Sequence, residues 1–146
     1  MTRNYLLDLN VLIALMDSSH RHYAKAQEWF VTSGKERWGL CPLTEAGFLR
    51  ITTNSAYRSE QRTFLQAIAI IQILKGRPGC VYWEIGKSWV ELTAPFAHRI
   101  SGHQQITDAY LLGMAIAREG VLVTFDKGVL YMAGKEFRSN VELLGA

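Results

Sequence analysis

Along the chain, short apolar runs alternate with longer stretches in which apolar residues recur every three or four positions. Tyr5-Leu6-Leu7, closed by Asp8, predicts a buried strand. A helical stretch follows from Asn10 to Met16, and Asp17-Ser18-Ser19 interrupts it. From His20 to Thr32 the residues Tyr23, Ala26 and Phe30 fall on one side of a helix that Gly34 stops. Trp38 to Cys41 predicts a second strand, and Pro42 suits the first turn of a helix running to about Thr53. Ser59 is the expected cap of a further helix, Glu60 to Lys75, ended by Gly76 and Pro78. Val81 to Trp83 predicts a third strand, followed by an irregular stretch and a short helix around Pro95 to Ile100. Thr107 to Arg118 is a strong helix closed by Gly120, Val121 to Phe125 the clearest strand, and Val141 to Leu144 the last. All-apolar strands alternating with helices imply a parallel sheet covered on both faces, so the expected fold class is α/β. No repeat or low-complexity tract interrupts residues 1–146, which are expected to form a single domain.

Acidic residues change this picture. Of thirteen, only four are Asp (8, 17, 108 and 126), and three of these stand at predicted strand ends or helix starts. Asp8 and Asp126 follow strands directly, at the edge where open α/β sheets bind ligands. Glu45 and Asp108 lie in first helical turns and ride apolar stripes, Glu45 with Phe48 and Leu49, Asp108 with Leu111 and Leu112. Four carboxylates are thereby expected to converge from four segments. Each also has an ordinary explanation: the helix dipole for Glu45 and Asp108, a cap for Asp8, turn chemistry for Asp126-Lys127-Gly128. Jointly they repel one another unless a cation or a substrate offsets the charge, and oxygen-only donors suit Mg²⁺ or Mn²⁺.

The motifs around these acids resemble those of PIN-domain ribonucleases. Leu7-Asp8-Leu9-Asn10-Val11 is similar to the opening motif, Pro42-Leu43-Thr44-Glu45-Ala46 to the second, Ile106-Thr107-Asp108-Ala109 to the third, and Thr124-Phe125-Asp126 to the fourth. Chain length and the His20-Arg21-His22 and Trp29-Phe30 stretch look most like the VapC toxins of toxin–antitoxin pairs. The resemblance implies a three-layer α/β/α fold around about five parallel strands, a homodimer, and a VapB-like antitoxin as partner. It also implies metal-dependent endonucleolytic hydrolysis of RNA, with Asp8, Glu45, Asp108 and Asp126 catalytic and Asp8, Asp108 and Asp126 on the metal. Asn10, Thr44, Thr107 and Thr124 are candidates for orienting the carboxylates. For Thr107 capping is the rival role, and for Thr124 filling the strand.

Charge agrees with a polyanionic substrate. Sixteen Lys and Arg oppose thirteen acids, and setting the four site acids aside leaves nine. Arg50, Arg58, Arg62, Arg99 and Lys127 lie near the motifs as possible phosphate contacts, against the plainer reading of solvated charge. Trp38, Trp83 and Trp89 could stack on bases or pack the core. His20, His22, His98 and His103 have no metal spacing and are expected in polar or capping roles. Cys41 and Cys80 form no CxxC pair, so inert thiols in a reducing cytoplasm are expected. No apolar run is long enough for a membrane span, and Asp8 and Asn10 interrupt the only candidate signal segment. The helix 60–75 is apolar nearly all round, which fits either a buried central helix or a patch for a second copy or the antitoxin.

Three other functions compete with this reading. Gly86-Lys87-Ser88 resembles the end of a phosphate-binding loop, but Val81 stands where its first glycine is required. Asp8-Leu9-Asn10 resembles the start of a haloacid-dehalogenase-like phosphatase, where Asn10 replaces the acid needed for proton transfer. A PIN-like protein that only binds RNA or a partner is the third, and its mark would be a missing acid.

Overall fold

The computed structural model describes residues 3–57 and 61–145. Five strands, β1 (Tyr5–Leu7), β2 (Trp38–Leu40), β3 (Cys80–Tyr82), β4 (Val121–Thr124) and β5 (Val141–Leu143), form one all-parallel sheet in the order β3-β2-β1-β4-β5. This is the α/β architecture the apolar runs imply.

Strand alternation divides the core in two. Leu6 and Leu122 turn to one face and pack with α5 (Trp89–Thr93), α6 (Ile106–Ala117) and α7 (Lys127–Ala133). Tyr5, Leu7, Val121 and Val123 turn to the other, against α1 (Leu9–Met16), α2 (Tyr23–Trp29), α3 (Pro42–Thr52) and α4 (Phe64–Lys75). A period of two thus sends successive side chains of the same strands into two cores, which makes the three layers.

Several boundaries differ from the expectation, for local reasons. The stretch after His20 becomes helical only at Tyr23 and widens into a π-turn over Phe30–Gly34, where Gly34 leaves room for the Trp29 ring. Ser59 and Glu60, the expected start of the fourth helix, lie outside the described residues, as does Arg58. α4 is capped by Thr63, whose side chain accepts from the Gln66 backbone while Gln66 reaches back. Before the turn at Pro95, residues Trp89–Thr93 form α5, capped by Ser88, where an irregular stretch was expected. α7 is an addition to the expected elements: it is too short to show a helical period, and Gly128 in its first turn reads as a turn signal.

α4 is not a buried central helix. Ala67, Ile71 and Leu74 face the core, while Phe64, Leu65 and Ile73 are largely exposed. Of the three tryptophans considered for base stacking, Trp38 and Trp83 are buried in the core, and Trp89 is part exposed beside Tyr110. No helix among the described residues is long and apolar enough to cross a membrane.

α5 and α6 cross closely at Gly113, where a β-carbon would stand 2.7 Å from the Leu92 carbonyl oxygen. Backbone cannot yield as a side-chain tip can, so Gly113→Ala is expected to cost about 1–3 kcal/mol. Chemical denaturation would show it as a lower midpoint at unchanged slope.

Candidate active site

From β1 the chain moves outward through β2 to β3, then returns to β4 on the other flank of β1. The carboxyl ends of β1 and β4 are therefore the switch point of the sheet, where side chains border a crevice that no crossover covers. Leu7 pairs with Val123, which brings both strand ends level, and the Asp8 backbone N–H donates to the Val123 carbonyl at 3.0 Å. Asp8 leaves β1 and Asp126 leaves β4 at this point, while Asp108 arrives in the first turn of α6.

Asp8 is only 4% exposed. Its Oδ1 accepts from the Leu9 backbone at 2.7 Å and caps α1, and its Oδ2 accepts from the Thr124 hydroxyl at 2.6 Å. Thr124, fully buried, also accepts at its hydroxyl from the Asp126 backbone N–H at 3.0 Å. One threonine thus links both strand ends through a single oxygen. Asp126 caps α7 through Oδ1, which accepts from Gly128 N–H at 2.8 Å. At Asp8 the capping and site readings therefore coincide, and at Asp126 the expected turn chemistry is a helix cap whose carboxylate also interacts with Asp108.

Charge crowding is evident in the titration of these groups. Burial raises the Asp108 carboxyl to about 7, helped by the charges of Asp8 and Asp126 and by hydrogen bonds to both. Asp8 is also raised, first by burial, with Asp126 adding to it and the bonds from Thr124 and Leu9 opposing it. Asp8, Asp108 and Asp126 are thus brought together. Glu45, in the first turn of α3, accepts from the Tyr82 hydroxyl at 2.5 Å. Burial, with Glu45 next, holds that hydroxyl far above the ordinary tyrosine range.

The remaining candidates separate clearly. Asn10 borders the crevice, and its buried Oδ1 has no hydrogen-bond partner among the described residues. Thr44 is buried against the Cys41 sulfur, 3.2 Å away, and Thr107 is exposed one residue inside α6, whose capping position is Gln105. Arg99 is engaged within the fold. Its guanidinium donates to the Met132 and Ala133 carbonyls at 2.8 and 3.0 Å and closes the end of α7. Arg50 and Lys127 are exposed and Arg62 half-buried. His20 borders the crevice, a placement its spacing gave no reason to expect.

The sequence profile of the PIN domain matches residues 5–135. The chain belongs to the PIN domain family. Among curated PIN-domain relatives, Ribonuclease VapC38 of Mycobacterium tuberculosis is 39% identical over 139 residues, covering 95% of this chain and 96% of that one. Ribonuclease VapC39 of the same species is 36% identical over 121 residues, covering 83% and 87%. Of solved structures, FitAcB from Neisseria gonorrhoeae aligns with a TM-score of 0.62 at 19% identity, over 88% of this chain and 92% of that one. VapBC-1 from nontypeable Haemophilus influenzae aligns at 0.59 and 19%, over 88% and 90%. At such identities these structures speak to the PIN fold, which they share with the present sheet order and layers.

Proposed function

We propose that this PIN domain is the toxin of a toxin–antitoxin pair, a divalent-metal-dependent endoribonuclease. The observation that carries this reading is the meeting of Asp8, Asp108 and Asp126 at the β1/β4 switch point, with two of them titrating abnormally high. The ribonuclease names of relatives covering nearly the whole chain support it.

A hard cation fits the residues present. The donors are all oxygen, they repel one another, and among the described residues the buried Asn10 Oδ1 has no hydrogen-bond partner. Among the described residues no three His, Cys, Asp or Glu side chains enclose one point by themselves. Mg²⁺ keeps several waters and takes only one or two carboxylates directly, so the remaining acids would reach it through water. Asp8, Asp108 and Asp126 would hold it, and when bound it would activate water and offset charge on the phosphate. Thr124 fixes Asp8 relative to Asp126, and Asp108 can hold a proton near neutral pH in the metal-free chain. Glu45 remains in the proposed catalytic set, anchored by Tyr82 and acting through water.

Phe64, Leu65 and Ile73 on α4 give an apolar surface suited to a VapB-like antitoxin or the second copy of a homodimer. Cleavage of single-stranded RNA in Mn²⁺ is expected to fall at least a hundredfold in excess EDTA and to return on re-addition. Full activity in EDTA would sink the metal mechanism. Release of inorganic phosphate from monoesters, with internal linkages uncut, would sink the nuclease.

A further inference from the structure

A cavity of about 580 Å³ opens beside the acids and runs from Asp8 and Asp108 to the turn that ends α3, at Asn54–Tyr57. Ile13 and Ile51 supply aliphatic lining, and His20 and Asn54 supply polar groups. Both polar groups have defined hydrogen-bonding character. The His22 backbone N–H donates to His20 Nδ1 at 3.0 Å, so the neutral ring carries its proton on Nε2. Asn54 Oδ1 accepts from the Ala56 backbone N–H at 2.9 Å, so the amide nitrogen offers N–H groups, with no bond among the described residues. The two nearby turns thus offer donors.

They are also tied together. Asp17 accepts from the Ser19 backbone and hydroxyl at 3.0 and 2.7 Å, and from the Tyr57 hydroxyl at 2.8 Å. One buried carboxylate therefore fastens the turn carrying His20 to the turn carrying Asn54. The His20 ring is backed by His22, ring centres 5.7 Å apart, and His22 stacks on Phe125 at 4.5 Å, next to Asp126. Such bracing sets donor positions before anything binds.

We propose that this cavity is a subsite for one unpaired guanine of the RNA, next to the scissile phosphate. The proposal rests on the ribonuclease reading above. A flat base fits between aliphatic side chains, and splayed-out bases in single-stranded RNA are read on their exposed edges. Guanine alone offers two neighbouring acceptors, O6 and N7, on its Hoogsteen edge, where adenine pairs an acceptor with a donor. The donors on the His20 and Asn54 turns match that pair of acceptors.

The first test is titration of the full wild-type chain with GMP, AMP, CMP and UMP, followed by NMR signals of His20 and Asn54. GMP is expected to bind at least about tenfold tighter than the others and to move both signals. Equal affinities, or shifts confined elsewhere, would overturn the subsite. This binding requires no cleavage. GMP selectivity without RNA cutting would leave the cavity assigned and defeat the nuclease reading, while cutting with four equal affinities would do the opposite. The second test is Asn54→Asp, which keeps the acceptor for Ala56 N–H but removes the donors. One donor beside one acceptor matches adenine, so the preference among mononucleotides is expected to turn from GMP to AMP. An undiminished GMP preference in a folded Asn54→Asp chain would overturn the proposal.

Discussion

Asp108→Asn is expected to abolish RNA cleavage, a loss of at least about a thousandfold, while making the metal-free protein more heat-stable above pH 7. Asp108 interacts with both other carboxylates, and burial followed by their charges lifts it to about 7 from an ordinary 3.8. A carboxyl raised in the folded state stabilises that state while protonated. The contribution is complete below about pH 4 and is lost as pH rises to about 7. The wild-type chain in chelator should therefore melt progressively lower across that interval, and Asp108→Asn should melt with a flatter profile. After allowance for solvent screening of a half-buried group, roughly 1–2 kcal/mol separate the two at pH 8. That is about 2–8 °C for a domain of this size. Added Mn²⁺ should then raise the wild-type melting temperature and leave the variant nearly unmoved, because only the wild type retains the full donor set. Parallel pH profiles for the two chains would mean that the acids act independently, and intact cleavage would remove Asp108 from the chemistry.

Thr124→Val should be the most destabilising single change at the site. The shapes are nearly equal, so the effect isolates the hydroxyl. Its loss deprives the buried Asp8 carboxylate of the 2.6 Å bond to Oδ2 and leaves the Asp126 N–H without its acceptor. A hydrogen bond to a charged group contributes about 1.5–3 kcal/mol, and an orphaned N–H adds to the cost. Roughly 2–4 kcal/mol, or about 4–15 °C, is expected. Cleavage should fall even well below the melting temperature, since Asp8 and Asp126 lose their shared tether. Thr124→Ser, which keeps the oxygen, should recover most of both. Stability unchanged in the valine variant would show that Thr124 merely fills the strand.

The four acidic motifs were legible because each places a carboxylate beside an apolar run whose periodicity is local. Asp8 after Tyr5–Leu7 and Asp126 after the β4 run announce strand ends with no knowledge of strand order. The use of Asp8 as a cap was legible as a rival explanation, since an Asp before a helix looks alike whether one oxygen or both are engaged, whereas at Asp126 the legible rival was turn chemistry. α7 and α5 escaped notice because each has too few residues to display a helical period. Arg99 looked like any cation near a motif, and its role as a closing group for α7 depends on a helix that was itself unseen.

By itself the sequence determined that the strands are buried and parallel, that helices alternate with them, and that four acids sit at element junctions. Those properties follow from apolar periodicity and from residue chemistry within a few positions of chain. Only the tertiary structure decided which acids meet. The order β3-β2-β1-β4-β5 sets β1 beside β4, so Asp8 and Asp126 share Thr124, while Glu45, leaving β2, is engaged by Tyr82 from β3. It also decided that His20 and Asn54 border one cavity and that α4 turns Phe64, Leu65 and Ile73 outward. The reason is that neighbourhood across a sheet depends on pairings between segments a hundred residues apart, and no local pattern encodes which strand a given strand will lie against.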